Sequence, residues 1–368
     1  MDSRILKQAV ALRHELHARP ELSGQETWTK QRLQDFLRVN TALEITDRGA
    51  WFYARKKGHS AAPPIAFRAD MDAVAMEESV PLPYASTVPG VAHKCGHDGH
   101  CAALAALALE TERRENGRDV YFIFQHAEET GRGARECASL IGEKGIEEVF
   151  AFHNMSGHSR GVVGIRPGTM NCASQGLSFR FRGVPAHASL QETGKNPAFA
   201  IADLVRAIPD LTRQNTFQGA VWCTVIQVAL GSENFGIAAG DGVVLLTCRG
   251  EREEDMLRLT KAVEAAAGSF AARDGLEVAL SLHDVFPETA NHAESVAKVR
   301  AACAGLGYPL YDMPEPMRSS EDAGHYFKAA KGALFLIHTG DRPPIHTPGY
   351  DFDDSIIEQA VTIFSALI

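Results

Sequence analysis

Four stretches of this chain share one pattern, a short run of consecutive apolar residues that ends abruptly in acids or histidines. Ile65-Ala66-Phe67 leads to Asp70 and Asp72, and Val120 to Gln125 runs into His126-Ala127-Glu128-Glu129. Glu147 to Phe152 delivers His153-Asn154, while Ala333 to Ile337 delivers His338 and, beyond Pro343-Pro344, His346. A strand covered on both faces needs apolar residues without alternation, so these runs read as neighbours in a helix-flanked sheet. In open α/β sheets ligands bind beyond the carboxyl ends of the strands. The pattern therefore predicts one site at one sheet edge.

Helical spacing appears near the start, at Ile5, Val10, Leu12 and Leu16, stops at Pro20 and resumes from Glu26 to Leu37. Between residues 171 and 284 the pattern changes to strand (Gln175 to Arg182), helix (Pro197 to Ile208), two strands (Val221 to Leu230, Val243 to Arg249), helix (Glu253 to Phe270) and strand (Glu277 to His283). That βαββαβ order is the ferredoxin-like plan. The predicted fold is α/β: a larger domain with a mixed, mostly parallel sheet flanked by helices, interrupted by a ferredoxin-like α+β domain. The expected boundaries are 1–170 for the first part of the larger domain, 171–284 for the insertion and 285–368 for the second part.

Composition narrows the partners. The 368 residues, 45% hydrophobic and 23% charged, suffice for two well-cored domains. A formal charge of −9 without a Lys/Arg run argues against a nucleic-acid or anionic-membrane surface and leaves a small molecule as the expected partner. Met1 to Lys7 lacks the apolar core of a signal peptide, and no stretch reaches the roughly 18 apolar residues of a membrane span. A cytoplasmic location is expected, in keeping with seven scattered cysteines read as reduced thiols.

The candidate chemistry centres on His93-Lys94-Cys95-Gly96-His97-Asp98-Gly99-His100, where coil gives way to an Ala/Leu-rich helix. Thiolate and imidazole hold zinc-like ions, and Gly96 and Gly99 are expected to let the backbone bend enough to converge Cys95 and His97. Alone, without CxxC or HExxH spacing, the stretch would also suit an exposed His-rich loop. The acids and histidines at the strand ends favour the metal reading. His14 and His17, on the first helix, read as hydrogen-bonded structural residues. Glu128 and Glu129 would point to opposite sides of an extended segment, so using both at one site requires the backbone to turn there. A thiolate bridges two ions and a neutral imidazole does not, which makes Cys95 or a water the candidate bridge. Asp72 is expected behind a ligating imidazole, fixing its orientation, with Asp70 and Asp322 as weaker candidates for the same duty.

Taken in order, several motifs carry a resemblance over nearly the whole chain. They are Arg13-His14-Glu15-Leu16-His17 with Pro20-Glu21, Arg68 to Asp72, Cys95 to His100, Phe124-Gln125 through Glu128-Glu129, His187-Ala188, Ser320-Glu321-Asp322, and His346 followed by Asp351 to Asp354. The sequence resembles the hippurate hydrolase and auxin-conjugate amidohydrolase branch of the di-metal aminoacylase and carboxypeptidase family. The resemblance implies a zinc-peptidase-like catalytic domain with an inserted lid that also forms homodimers, and two divalent ions per chain (zinc, manganese, cobalt or nickel). It implies Cys95, His97, Glu129, His153 and His346 as metal ligands, Glu128 as general base, and His187 as an oxyanion donor in its own or a partner subunit. Where relatives carry proline the chain has His126, where a glycine precedes the Ser-Glu-Asp motif it has Arg318-Ser319, and Val184 to Ser189 departs from a glycine-rich lid segment. None of these positions is an implied ligand.

The implied reaction is hydrolysis of the amide bond of N-acyl amino acids or similar conjugates, with a dipeptidase or carboxypeptidase of the same mechanism as the alternative. An amide needs a nucleophile stronger than water and stabilisation of an oxyanion, which paired ions supply. Glu128 would carry the proton from water to the leaving nitrogen. A product carboxylate needs a cation or N–H donors, for which Arg249, with its planar fork, and Asn234 are the candidates. A catalytically silent metal-binding or conjugate-binding relative would have no use for Glu128, so the enzyme reading is preferred.

Overall fold

The structure is a computed structural model describing residues 1–368. In chain order its principal elements are α1 (Ser3–Ala18), α2 (Thr27–Asn40), β1 (Glu44–Asp47), β2 (Phe52–Lys56), β3 (Ala62–Asp70), α3 (His97–Glu112), β4 (Arg118–Gln125), β5 (Glu148–Met155) and β6 (Val163–Ile165). Then follow β7 (Ala173–Arg182), α4 (Ala198–Thr212), β8 (Val221–Leu230), β9 (Asp241–Gly250), α5 (Glu253–Arg273) and β10 (Glu277–Phe286). The chain ends with α6 (Ala293–Leu306), β11 (Leu310–Asp312), β12 (Lys331–His338) and α7 (Ile356–Leu367). No helix is long and apolar enough to cross a membrane.

The chain divides into two compact units. One comprises Met1–Met170, Thr289–Pro316 and Glu321–Ile368, and the other Asn171–Glu288 with Met317–Ser320. Residues 285–288 and 317–320, expected in the larger domain, thus group with the smaller one. The cause is local: β10 runs on to Phe286, and the Cys172 N–H donates to the carbonyls of Met317 (3.0 Å) and Ser319 (3.2 Å).

The first unit is built on a sheet of order β1-β2-β4-β3-β5-β12-β6-β11. Its centre is parallel, β4 beside β3, β3 beside β5 and β5 beside β12, while β2 and β6 flank it antiparallel. The parallel centre brings the carboxyl ends of all four predicted strands to one edge. Their apolar runs are buried on both faces, Phe67, Phe122, Phe124, Phe150 and Phe335 among them. Helix α3 is buried all round from His97 to Thr111. Its alanines let neighbours approach closely, and burying Leu104 and Leu107 contributes roughly 1.5–3 kcal/mol each.

The second unit has sheet order β8-β9-β7-β10 with every pairing antiparallel, the ferredoxin-like arrangement. Val244, Leu246 and Cys248 alternate inward along β9 and pack with Phe179, Phe181, Leu204, Leu259 and Val263. Strand β8 lies at the sheet edge and leaves Ile226 and Val228 exposed.

Candidate metal centre

The cluster begins at the first turn of α3. Gly96 adopts φ 96°, and a side chain there would meet Asn154 Oδ1 at 2.4 Å and the Tyr350 hydroxyl at 2.5 Å, so only glycine fits. Gly99 does not bend the chain as expected. It is helical, and a Cβ there would strike the Phe352 ring at 2.4 Å, so it serves close packing instead.

Around this turn the structure assembles groups whose ligand-type atoms lie within 4.8 Å of one another: Cys95, His97 and His153; Cys95, Glu129 and His346; and His97, Glu128 and Glu129. Cys95 Sγ is 3.4 Å from His153 Nε2, and His346 Nε2 is 3.3 Å from Glu129 Oε1. His97 Nε2 lies 3.8 Å from Glu129 Oε1 and 3.9 Å from Glu128 Oε2. His97 Nδ1 donates to the Asp72 carbonyl at 2.9 Å, and His153 Nδ1 to the Asn154 carbonyl at 2.8 Å, which leaves each ring an Nε2 lone pair facing the cluster.

The Asp72 carboxylate stands 3.3 Å from His97 Nδ1 and accepts the Glu129 N–H at 2.9 Å and the Ser23 hydroxyl at 2.7 Å. It braces an imidazole and the Glu129 backbone together. His346 sits at φ 58°, with its N–H held at 2.6 Å by the Lys94 carbonyl. The turn required between Glu128 and Glu129 begins at Ala127, whose φ is 48°. Beyond it Glu128 also lies with Glu321 and Asp322, and Glu129 with Cys95 and His346.

Sequence reasoning named Asp70 and Asp322 as supports but passed over the residues that hold them. His100 bridges Asp70 (2.7 Å) and Asn154 (2.8 Å), and Asn154 donates to the Tyr350 hydroxyl at 2.6 Å. Buried Arg68 answers the acids, pairing with Asp70 and Asp322 at 2.8 Å and Glu321 at 3.0 Å. The placing of His100 inside the Cys95 motif and of Asn154 after His153 was the available signal. His338 does not join the cluster. Strand β12 lies one strand further out than β5, and the His338 ring packs at 4.7 Å against His158 and 6.5 Å from Tyr311 on β11. His126 pairs with Glu136 at 3.2 Å, and His17 with Asp98 (2.7 Å) and Glu78 (2.9 Å).

The electrostatics call for a cation. His97 Nε2 and Glu129 Oε1 are buried with no hydrogen-bond partner. Burial opposes a charge on His97, but Asp70, Asp72 and Glu129 outweigh it and push the ring up to about 10. Burial, then Glu129 and Glu128, drives the Cys95 thiol well up, and burial with Glu321 and Glu129 does the same to the Glu128 acid. A proton on His97 and a divalent ion are alternative sources of the missing positive charge, and soft and hard donors together suit a borderline divalent metal.

His187, Arg249 and Asn234 belong to the second unit. His187 ends a two-residue strand paired with Ile237–Ala238, and its Nδ1 accepts the Ser189 N–H at 3.2 Å. Arg249 Nη1 donates to the Arg318 carbonyl at 3.0 Å and to Ser320 Oγ at 2.9 Å. Asn234 Oδ1 accepts the Gly236 N–H at 3.0 Å, closing its own loop.

A helix-flanked sheet that gathers thiol, imidazole and carboxylate donors beyond its parallel strand ends offers a candidate centre for divalent metal. The model of peptidase family M20/M25/M40 matches residues 66–368, and the chain belongs to that family. By that membership it is a metal-dependent hydrolase of amide bonds. It is 29% identical to an N-acetyl-L-cysteine deacetylase of Bacillus subtilis over 97% of this chain and 86% of that protein. It is 28% identical to the hippurate hydrolase of Campylobacter jejuni over 97% of this chain and 94% of that one. Its fold is that of the Bacillus subtilis YXEP protein, described as a dinuclear metal binding peptidase from the M20 family, with a TM-score of 0.84, 24% identity and coverage of 100% and 98%.

Proposed function

We propose that the chain hydrolyses the amide bond of N-acyl amino acids or similar small conjugates, with Cys95, His97, Glu129, His153 and His346 holding two divalent ions. The observation that carries this reading is a pair of buried ligand-type atoms without a hydrogen-bond partner, His97 Nε2 and Glu129 Oε1, inside that donor set. When bound, such ions activate water and polarise a carbonyl. Glu128 receives the proton and returns it to the leaving nitrogen. Asp72 keeps His97 and the Glu129 backbone in place, while Arg249 and Asn234 receive the substrate carboxylate and His187 donates to the oxyanion. Relatives named for N-acetyl-L-cysteine and hippurate support this substrate class.

The exposed edge of β8, with Ile226 59% and Val228 48% accessible, supports a homodimer formed through the second unit. Seven free cysteines support a cytoplasmic location. The test is a panel of N-acetyl amino acids, N-benzoyl amino acids and dipeptides, assayed with manganese, zinc, cobalt or nickel, alongside elemental analysis. Hydrolysis of the N-acyl substrates and about two ions per chain are expected. Cleavage of dipeptides alone would make it a peptidase, and no cleavage with any ion would overturn the reading.

A further inference from the structure

Glu26 occupies the N-cap position of α2 but does not cap it. Its side chain makes no cap hydrogen bond, and the helix N-terminus is served by Glu21, whose carboxylate accepts the N–H groups of Trp28 at 3.1 Å and Thr29 at 2.8 Å. Relieved of that duty, Glu26 is buried, only 5% exposed, and Oε1 accepts the Ala127 N–H at 2.7 Å. Burying an acid is costly, and a surface cap would not need it.

Ala127 is the residue at which the chain turns left-handed, at φ 48°. Alanine avoids this region unless something holds it there. From inside the loop, the Ala127 carbonyl accepts the N–H groups of Arg132 (3.2 Å) and Gly133 (3.1 Å). From outside, Glu26 takes the Ala127 N–H and Asp72 takes that of Glu129, so two carboxylates bracket Glu128. Gly133 belongs to the same device, since a side chain there would run into the His126 carbonyl at 1.6 Å.

We propose that Glu26 is a positioning residue for the reaction: by fixing the left-handed turn at Ala127 it keeps Glu129 on the ligand cluster and Glu128 free to move protons. The inference rests on the roles given to those two glutamates under the proposed function. It follows that the length and acceptor of the Glu26 side chain matter and that its charge does not.

The experiment compares wild type, Glu26→Ala and Glu26→Gln by cobalt titration, read by the visible absorption of the bound ion, and by kinetics on an N-acetyl amino acid. Glu26→Ala should weaken cobalt binding about 10-fold and lower kcat about 10- to 100-fold, with KM within about twofold, as expected when a catalytic group is misplaced by a fraction of an ångström. Glu26→Gln, whose amide oxygen accepts the same N–H, should recover both to within about threefold. Unchanged cobalt affinity in Glu26→Ala, or a Glu26→Gln as impaired as Glu26→Ala, would overturn the proposal. If wild type cleaves no N-acyl amino acid the proposed substrate fails, and the cobalt titration alone decides the role of Glu26. Should Glu26→Ala not fold, Glu26→Asp, which draws the acceptor back from the Ala127 N–H by one methylene, takes its place with the same losses expected.

Discussion

Replacing Glu78 with glutamine tests how the metal corner is supported from behind. The Glu78 side chain is 8% exposed, and its carboxylate pairs with Lys94 Nζ and, at 2.9 Å, with His17 Nε2. Lys94 is wholly buried, has the Tyr350 carbonyl at 2.7 Å as a further acceptor, and through its own carbonyl holds the His346 N–H. Burial raises the Glu78 acid, but His17 and Lys94 prevail and lower it from 4.5 to about 2. That lowering corresponds to roughly 3 kcal/mol favouring the folded state. Removing one partner of a buried pair costs about 3–5 kcal/mol, in the same range. Because the folded value is the depressed one, the contribution is complete above the unfolded value of 4.5 and disappears as pH falls through about 2. Trp28 and Trp51 lie in the first unit and Trp222 in the second, so urea unfolding in a Trp222→Phe background, without metal, reports the first unit by fluorescence. Glu78→Gln should lose about 3 kcal/mol at pH 7 and about half of that near pH 3. A loss under about 1 kcal/mol at pH 7, or one that grows in acid, would refute the reasoning.

Glu26 titrates with the opposite sign. Burial and Asp72 raise it from 4.5 to about 7, so wild type loses stability as pH rises through that window, and metal-free Glu26→Gln should match wild type near pH 4.5 and exceed it by about 3 kcal/mol at pH 8, as read by urea unfolding. Glu128→Gln should retain its ions by elemental analysis while kcat falls about 100- to 10,000-fold, whereas Glu129→Gln should lose metal; equal turnover in wild type and Glu128→Gln would remove the proton-shuttle role. Amidating the substrate carboxylate should cost about 2–5 kcal/mol in kcat/KM, and Arg249→Ala should erase most of that discrimination. Ile226→Glu, on the exposed β8 edge, should give monomers by light scattering, and a wild type that is already monomeric at micromolar concentration would dispose of the dimer.

Much of the site was legible because a buried parallel strand has a distinctive composition and its carboxyl end has a distinctive use. Apolar runs ending in Glu128-Glu129 and His153 identified the edge, and two adjacent glutamates at one site demanded the turn now seen at Ala127. What stayed hidden depends on contacts across long sequence separations. Glu26 looked like a helix residue, and only the fold shows it reaching Ala127, 101 positions away. His338 shared the strand-end pattern, but periodicity does not reveal strand order, and β12 lies outside β5. Gly99 shared its neighbour's composition while serving a different constraint, the close approach of Phe352.

The wide spacing of the ligand-type residues also has a consequence for synthesis. Cys95 precedes the inserted unit and His346 follows it, and the sheet that positions them is completed by β12, which pairs with β5 only after residue 331 has been made. While translation proceeds, the second unit is complete before the first, whose parallel strands wait for a distant partner, a slow kind of closure. Until then Cys95, His97 and Glu129 are an open set of donors without His346. On the proposed ligand set, full metal capture would therefore be a late event in the life of each chain, and an ion bound there would report that both ends of the first unit have met.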